Sequence, residues 1–380
     1  MPRSVVLLDI LGVVGNGNSD VLARHQEYAD TLKLRTSSQT NFVILTTGNK
    51  KYESHSLKSL EIIRIPVKRW NVPGFVTKAY QTIKAQNIFV ALLVVGDPWE
   101  SLWSAKLLRL LLKWKPSIQV QIHGDIGNRS WKYLNPRNYL RSRFVFLNAR
   151  SISTIRCTTQ KQKEEIVESY NINQQIIRVI PVTLNISSNN KVVQKKHSKV
   201  LSVGFIGRLH DDRGLEIFLD IIRTINEKSR SFEVVVAGSG PKEEFLKSEL
   251  TKILGEKRFN FLGELDKFSM GTAWEQINVL VSTAPAESYG RTIREALFHG
   301  IGVLGVPSNG LLSLEFERSA GLVEIIEKPL NSGRLLDQVL RLSKHEGINE
   351  YQEKVLQRDS MMLTYLVETW IDSITPEKLQ

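Results

Sequence analysis

The chain has 380 residues, 42% hydrophobic and 24% charged, a balance that suits a folded protein with two domains of ordinary size. A single cysteine, Cys157, excludes an internal disulfide and a cysteine-rich metal site, and predicts a reducing compartment. The net charge of +12 is uneven, since residues 1–190 hold 26 Lys and Arg against 12 Asp and Glu while residues 191–380 hold 25 against 27, so the first half is set to face an anionic partner.

Val5–Leu8 reads as the first strand, its apolar run broken by Asp9, and this start predicts no secretory signal. No stretch reaches the roughly eighteen apolar residues of a membrane span. The strand runs into Gly12, Gly15 and Gly17 and a helical pattern from Asp20 to Lys33. This glycine spacing is not the dinucleotide fingerprint, and a turn that needs positive φ explains it equally well. Further strands read at Asn41–Thr46, Glu61–Val67, Phe89–Val95 and Ile118–His123, with helical stretches between most of them. That alternation predicts a doubly wound α/β sheet whose ligands collect at the carboxyl ends of the strands.

Two strand ends carry candidate chemistry. One leads to Gly96-Asp97, the other to His123-Gly124-Asp125, where His123 is placed to line a cleft and Asp125 to orient it or bind an acceptor hydroxyl. Trp99–Trp114 reads as an amphipathic helix, its leucines facing either the sheet core or a membrane. Arg129, Lys132, Arg137, Arg141 and Arg143 then alternate with Trp131, Tyr133 and Tyr139. Such mixtures suit a membrane interface, a phosphate-rich glycan or single-stranded nucleic acid. No nucleic-acid-binding motif accompanies them, which favours a membrane or lipid-linked acceptor.

Ile176–Val182 is the next strand. The Ser-, Asn-, Lys- and Gln-rich segment after it has little to bury and reads as a linker. The predicted organisation is therefore a first domain over 1–185, a linker over 186–199, a second domain over 200–350 and a helical tail over 351–380. Strands in the second domain read at Val200–Ile206, Phe232–Ala237, Phe259–Gly263, Val279–Val281 and Gly321–Ile326, and one helical stretch runs from Val339 to Ile374.

The most informative segment is Val279–Val306. A short strand, a loop through Glu287-Ser288-Tyr289-Gly290 and a helix from Arg291 to His299 make an anion site, because free backbone N–H groups and the helix dipole point at one spot. Arg291 and Arg294 in the first turn are unfavourable there unless a phosphate is bound. A solvated Arg291–Glu295 pair, worth roughly a few tenths of a kcal/mol, is the plainer reading of part of this pattern.

Glu287 and Glu295, eight positions apart around Gly290 and followed by Ala296-Leu297, resemble the signature of the retaining family-4 glycosyltransferases. That resemblance implies the GT-B fold, an α/β architecture of two Rossmann-like domains facing a central cleft, with a tail helix that crosses back to the first domain. Gly207-Arg208-Leu209 and Arg213-Gly214 are similar to the family's pair of cations on the donor diphosphate, with Arg213 where the family usually has Lys. Gly238 and Gly263 resemble the loops beside the nucleoside. Arg208, Arg213, Gly290, Arg291, Glu295, Gly238 and Gly263 are then donor-binding, His123 and Glu287 catalytic, and Gly12, Gly15, Asp97 and Asp125 acceptor-side. Ser308-Asn309-Gly310-Leu311-Leu312 departs from the family's pattern of doubled glycine and acid. Asp211-Asp212 is not read as a metal site, and no cofactor or metal is expected beyond a nucleotide diphosphate sugar as co-substrate.

The function implied is transfer of a sugar, with retention, to a glycan or lipid-linked acceptor in bacterial-type polysaccharide or lipid-linked glycan synthesis. The location implied is cytoplasmic, peripheral on an anionic membrane surface, with no nucleic-acid partner. The alternative is a non-catalytic nucleotide-sugar or glycan-binding protein of the same fold.

Overall fold

The computed structural model describes residues 2–14, 19–48, 53–57, 59–145, 149–184, 200–266, 269–344 and 349–374, and the predicted linker over 186–199, Gly15 and Gly17 lie outside them. The chain packs as two units, Met1–Asn185 with Asp359–Gln380, and Ile186–Arg358.

The first unit is built on β1 (Arg3–Asp9), β2 (Thr40–Thr47), β3 (Glu53–Leu57), β4 (Leu60–Ile65), β5 (Phe89–Val95), β6 (Ser117–Gln121), β7 (Thr154–Cys157) and β8 (Ile177–Val179). They lie in the order β3-β4-β2-β1-β5-β6-β7-β8. All pairings are parallel except β3 with β4. Helices cover both faces, so the central strands are apolar throughout rather than alternating. Val6, Leu8, Val43, Phe75, Ala79 and Leu102 fill one side of the sheet. Val5, Leu7, Phe42, Ile44, Leu32 and Trp370 fill the other.

Trp370 lies on the last helix, Asn349–Ile374, and is fully buried. Its ring stacks on Phe42 at 5.2 Å and meets the edge of Tyr28 at 5.9 Å, and Nε1 donates to Gln119 Oε1 at 2.7 Å. The predicted single helical stretch from Val339 is two helices, Ser332–Ser343 and Asn349–Ile374. β3 and β7 were not expected from the sequence. β3 is polar, and β7 carries Arg156 in its middle.

The second unit holds β9 (Leu201–Ile206), β10 (Phe232–Ala237), β11 (Phe259–Gly263), β12 (Val279–Ser282), β13 (Gly302–Gly305) and β14 (Val323–Ile325). Their order is β11-β10-β9-β12-β13-β14, and every pairing is parallel. The sheet grows outward in both directions from β9 and β12, so the chain's path reverses between those two strands. This is the switch point at which doubly wound sheets open a crevice at their carboxyl edge. The helix Leu215–Asn226 buries Phe218, Leu219 and Ile222 against this sheet. β13 also escaped the sequence reading, because its flanking glycines resemble a turn.

His299 gives the second unit a pH dependence. The ring is 7% exposed and stacked on Trp274 at 5.7 Å, and burial lowers its pKa from 6.5 to about 4. The folded state therefore holds His299 neutral where the unfolded chain begins to protonate it. Its contribution is complete above pH 6.5 and is lost as pH falls through about 4, with a slope of at most ~1.4 kcal/mol per pH unit. Urea midpoints between pH 7.5 and 4.5 should fall less steeply for His299→Gln than for the native chain. Identical pH slopes would remove His299 as the source.

Candidate active site

In the second unit, the loops that follow β9 and β12 are tied to each other. Thr283 Oγ1 donates to the carbonyl of Arg213 at 2.9 Å, and Arg213 Nη1 donates to Glu287 Oε2 at 3.0 Å. The other oxygen of Glu287 accepts from Gly290 N at 3.2 Å, and its backbone carbonyl accepts from Gly310 N at 2.7 Å. Gly290 is left-handed, with φ of 70°, and begins the helix Arg291–Phe298 without a side-chain cap. Here the expected phosphate position at the helix start is filled by the chain's own carboxylate. Glu287 sits between the Gly290 amide and the Arg213 guanidinium, the two groups an anion would use.

Arg208 is exposed and pairs with Asp212 at 3.1 Å, while Asp211 pairs with Lys242 at 2.8 Å. Both acids are thus engaged by cations. Among the described residues no group of three or more His, Cys, Asp or Glu could hold a metal ion. Arg291 Nε lies 2.9 Å from Glu295 Oε1 on the partly exposed face of the helix.

Arg294 departs from the expectation that it greets a phosphate. It is buried, hydrogen-bonded to the Tyr289 carbonyl and, at 3.0 Å, to Ser313 Oγ, with its guanidinium 4.0 Å from the Tyr289 ring. At helix spacing Arg294 shares the side of Ile293 and Leu297, so it is a strut under the loop. Burial lowers its pKa.

The nucleoside-side glycines hold the loops close. A Cβ on Gly238 would lie 1.9 Å from the Gly207 carbonyl oxygen. Gly238 N donates to Gly263 O at 2.7 Å, and Leu209 N to Ser239 O at 2.9 Å. The turns after β9, β10 and β11 are therefore laced by backbone hydrogen bonds, which leaves Arg208 to project from a braced segment.

In the first unit, the strand ends carry side chains whose roles differ from one another. Asp9, at the end of β1, accepts from Val13 N and Val14 N at 2.9 Å each and from Thr46 Oγ1 at 2.8 Å. It thereby closes the loop that turns at Gly12, whose φ is 64°. Asp97 accepts from Trp99 N at 2.8 Å and from Ser101 N at 3.2 Å, and its other oxygen takes the Ser101 hydroxyl. It holds the start of the helix Glu100–Leu111, so its carboxylate serves the fold; burial raises its pKa against these hydrogen bonds. Asp125 is 1% exposed, whereas His123 two residues earlier is exposed.

The helix Glu100–Leu111 divides its apolar residues between a buried and an exposed face. Leu102, Ala105 and Leu108 are buried, while Trp103, Leu107, Leu110 and Leu111 are exposed. Beyond it, Tyr133, Tyr139, Leu140, Phe144 and Trp70 are also exposed. Arg141 is held between the rings of Trp70 at 5.7 Å and Trp99 at 4.8 Å and paired with Glu100 at 2.5 Å. Arg137 and Arg143 stay exposed beside it.

Thr283, Gly310 and Trp70 were not singled out as site residues from the sequence. Only Gly310 left a trace there, as the glycine of the Ser308–Leu312 segment that departs from the family pattern.

Residues 187–355 match the family described as glycosyl transferases group 1. The chain is 22% identical over 295 residues to a phosphatidylinositol N-acetylglucosaminyltransferase component of Homo sapiens; the match covers 77% of this chain and spans 60% of that relative's length. The fold matches a sucrose-phosphate synthase from Thermosynechococcus elongatus, with a TM-score of 0.69, 15% identity and coverage of 97% of this chain and 98% of the other. It also matches HepE of Anabaena, solved in complex with UDP-glucose, with a TM-score of 0.67, 16% identity and coverage of 97% and 99%. The architecture is the GT-B fold of glycosyltransferases.

The Gly310 contact supplies a test of how the Glu287 turn is held. A Cβ there would lie 2.7 Å from both Gly290 N and the Tyr289 carbonyl carbon, backbone atoms that cannot swing aside. Gly310→Ala should lower the stability of the second unit by about 1–3 kcal/mol, read as a lower urea midpoint. Gly333→Ala, which meets only Asn331 Oδ1 at 3.4 Å, should be close to neutral. An unchanged midpoint for Gly310→Ala would show that the turn tolerates displacement.

Proposed function

We propose that this chain, whose residues 187–355 match the group 1 glycosyl transferases, moves a sugar from a nucleotide diphosphate sugar to an acceptor hydroxyl with retained anomeric configuration. The observation that carries this reading is the Arg213–Glu287 pair at the switch point of the second sheet, with Arg208 projecting from the neighbouring loop. A leaving diphosphate gains negative charge as the glycosidic bond breaks. Guanidinium groups fixed in place stabilise that gain more than they stabilise the bound donor, which is what lowers a barrier. In this reading Arg208 and Arg213 take the diphosphate, Glu287 turns from Arg213 to the sugar hydroxyls, and Glu295 takes the ribose hydroxyls beside Arg291. Attack comes from the face the diphosphate leaves, and no enzymic nucleophile or bridging metal is required.

In this reading His123, which follows a strand end of the first unit, serves the acceptor. The human relative's name joins N-acetylglucosamine transfer to phosphatidylinositol, and the Anabaena structure holds UDP-glucose. The first favours a lipid or lipid-linked acceptor for this chain, and the second a uridine nucleotide donor. The exposed Trp70, Tyr139, Leu140 and Phe144 with Arg137 and Arg143 support reversible docking on an anionic membrane, where aromatic rings and guanidinium groups suit the headgroup layer. A donor-binding protein without turnover is the competing reading, and a transfer assay separates the two.

Arg208→Ala should reduce turnover by a factor on the order of 10²–10³ while the chain stays folded. Unchanged kcat/KM in that variant would sink the diphosphate assignment, and a rate abolished by chelator and restored by Mg²⁺ would contradict metal-free transfer. For the surface, liposome co-sedimentation should detect binding to anionic but not neutral vesicles, weakened by salt and by neutralising Arg137 and Arg143 together. Arg141 is left out of that variant because it braces Trp70, Trp99 and Glu100. Equal, negligible binding to both vesicle types would point to a soluble acceptor.

A further inference from the structure

Arg294 is 5% exposed, although a hydrophobic side chain at the same place would be buried without desolvating a charge. Its hydrogen bonds show what the guanidinium holds. Nη1 donates to the Tyr289 carbonyl and, at 3.4 Å, to the Gly310 carbonyl, while Nη2 donates to Ser313 Oγ at 3.0 Å. Ser313 Oγ in turn donates to the Gly310 carbonyl at 2.8 Å. The side chain thus joins the loop before its own helix to residues 309–313.

The Tyr289 carbonyl and the Gly290 N–H belong to one peptide unit. That unit is planar and trans, so the two groups point in opposite directions. The carbonyl is turned inward to the buried guanidinium, and the N–H is thereby turned the other way, where it donates to Glu287 Oε1 at 3.2 Å. Gly310 covers one face of the same unit, since a Cβ there would lie 2.7 Å from both the Tyr289 carbonyl carbon and Gly290 N. Gly290, at a φ of 70°, has no side chain to prevent the unit from turning over. Arg294 opposes that flip. Turned over, the N–H would face the guanidinium, donor against donor in a buried place, and the carbonyl would lose its partner.

We infer that Arg294 is a positioning residue for the donor, a lock on the 289–290 peptide that keeps the Gly290 N–H directed at the place where Glu287 and an arriving diphosphate meet. This rests on the transferase reading above and adds to it a residue that touches neither donor nor acceptor. In the resting site the amide is taken by Glu287. When Glu287 turns to the sugar hydroxyls, the amide faces the anion beside Arg213 and adds a fixed dipole where negative charge grows. Such a dipole stabilises most when it cannot rotate away, and holding it still is what the buried guanidinium contributes.

Two measurements on the full chain test this. The first reads the lock itself, through the Gly290 amide in isotope-labelled protein. Arg294→Met should move that resonance and speed its hydrogen exchange about tenfold or more, while the Gly255 amide, bonded to the Thr251 carbonyl, stays as it was. An unmoved Gly290 amide would overturn the lock. The second reads its use, by calorimetry with UDP and with uridine, which differ only in the diphosphate. Arg294→Met should weaken UDP about tenfold, the share of one hydrogen bond to a charged group, and leave uridine unchanged. Equal weakening of both would make Arg294 a structural residue only, and undiminished UDP binding would overturn its role toward the donor. Arg294→Lys keeps a donor for the Tyr289 carbonyl and should recover part of the loss. If Arg294→Met fails to fold, Ser313→Ala takes its place. Removing the Nη2 acceptor should move the same amide and weaken UDP about twofold, and no effect on either would count against the lock. Failure of the native chain to bind UDP would count against the transferase reading, while the Gly290 amide would still decide the lock.

Discussion

The second unit depends on one ion pair, Arg213 with Glu287, which joins the loop after β9 to the loop after β12 across the point where the sheet's order reverses. Parallel sheets open at that point because the loops leave in opposite directions. Without a bond across it, each loop would be held only by its own strand. Glu287 also accepts from Gly290 N and Gly310 N, so the same residue fixes the start of the next helix. The pair is about a quarter exposed on each side, which leaves it open to exchange with an arriving anion. A diphosphate could take the place of the carboxylate on Arg213 and free Glu287 to accept hydroxyl protons. The resting contact therefore keeps both groups from being unpaired at an opening in the surface.

The first unit solves the same topological situation in another way. Its loop after β1 turns its amides to the Asp9 carboxylate, and its helix after β5 is held at the start by Asp97. Backbone donors that could bind an anion are thus already satisfied within the described part of the loop. What remains at that edge are side chains, His123 and buried Asp125 among them. One unit offers guanidinium groups paired with carboxylates, and the other offers a guanidinium surrounded by neutral acceptors. The charge asymmetry visible in the composition has this local counterpart.

Most of the fold was legible because parallel strands buried on both faces leave short apolar runs, as at Phe89–Val95 and Phe232–Ala237. The strands that escaped are those that break the rule. β7 contains Arg156, β3 is polar, and β13 is four residues that begin and end with glycine. Of the residues joined in the second unit, Glu287 and Gly290 had been singled out by a strand–turn–helix pattern and Arg213 only by resemblance to a family motif. Arg294 was misread because charge pattern alone does not say which face of a short helix is buried. At i+3 from Arg291 it shares the side of Ile293 and Leu297, and the Tyr289 ring covers it. Gly310 was noticed only as a departure from a pattern, since a close approach of two backbones distant in sequence leaves no local signal.

Arg156 and Arg294 make the same point from opposite ends of the chain. Each is a buried guanidinium hydrogen-bonded to carbonyl oxygens and to one neutral side chain. Carbonyls satisfy N–H groups without cancelling charge, and at Arg294 the buried Glu317 offsets part of it. Arg294 is stacked on Tyr289, which adds the favourable face of a ring to the same arrangement. Such residues cost stability that a hydrophobic side chain of similar volume would return.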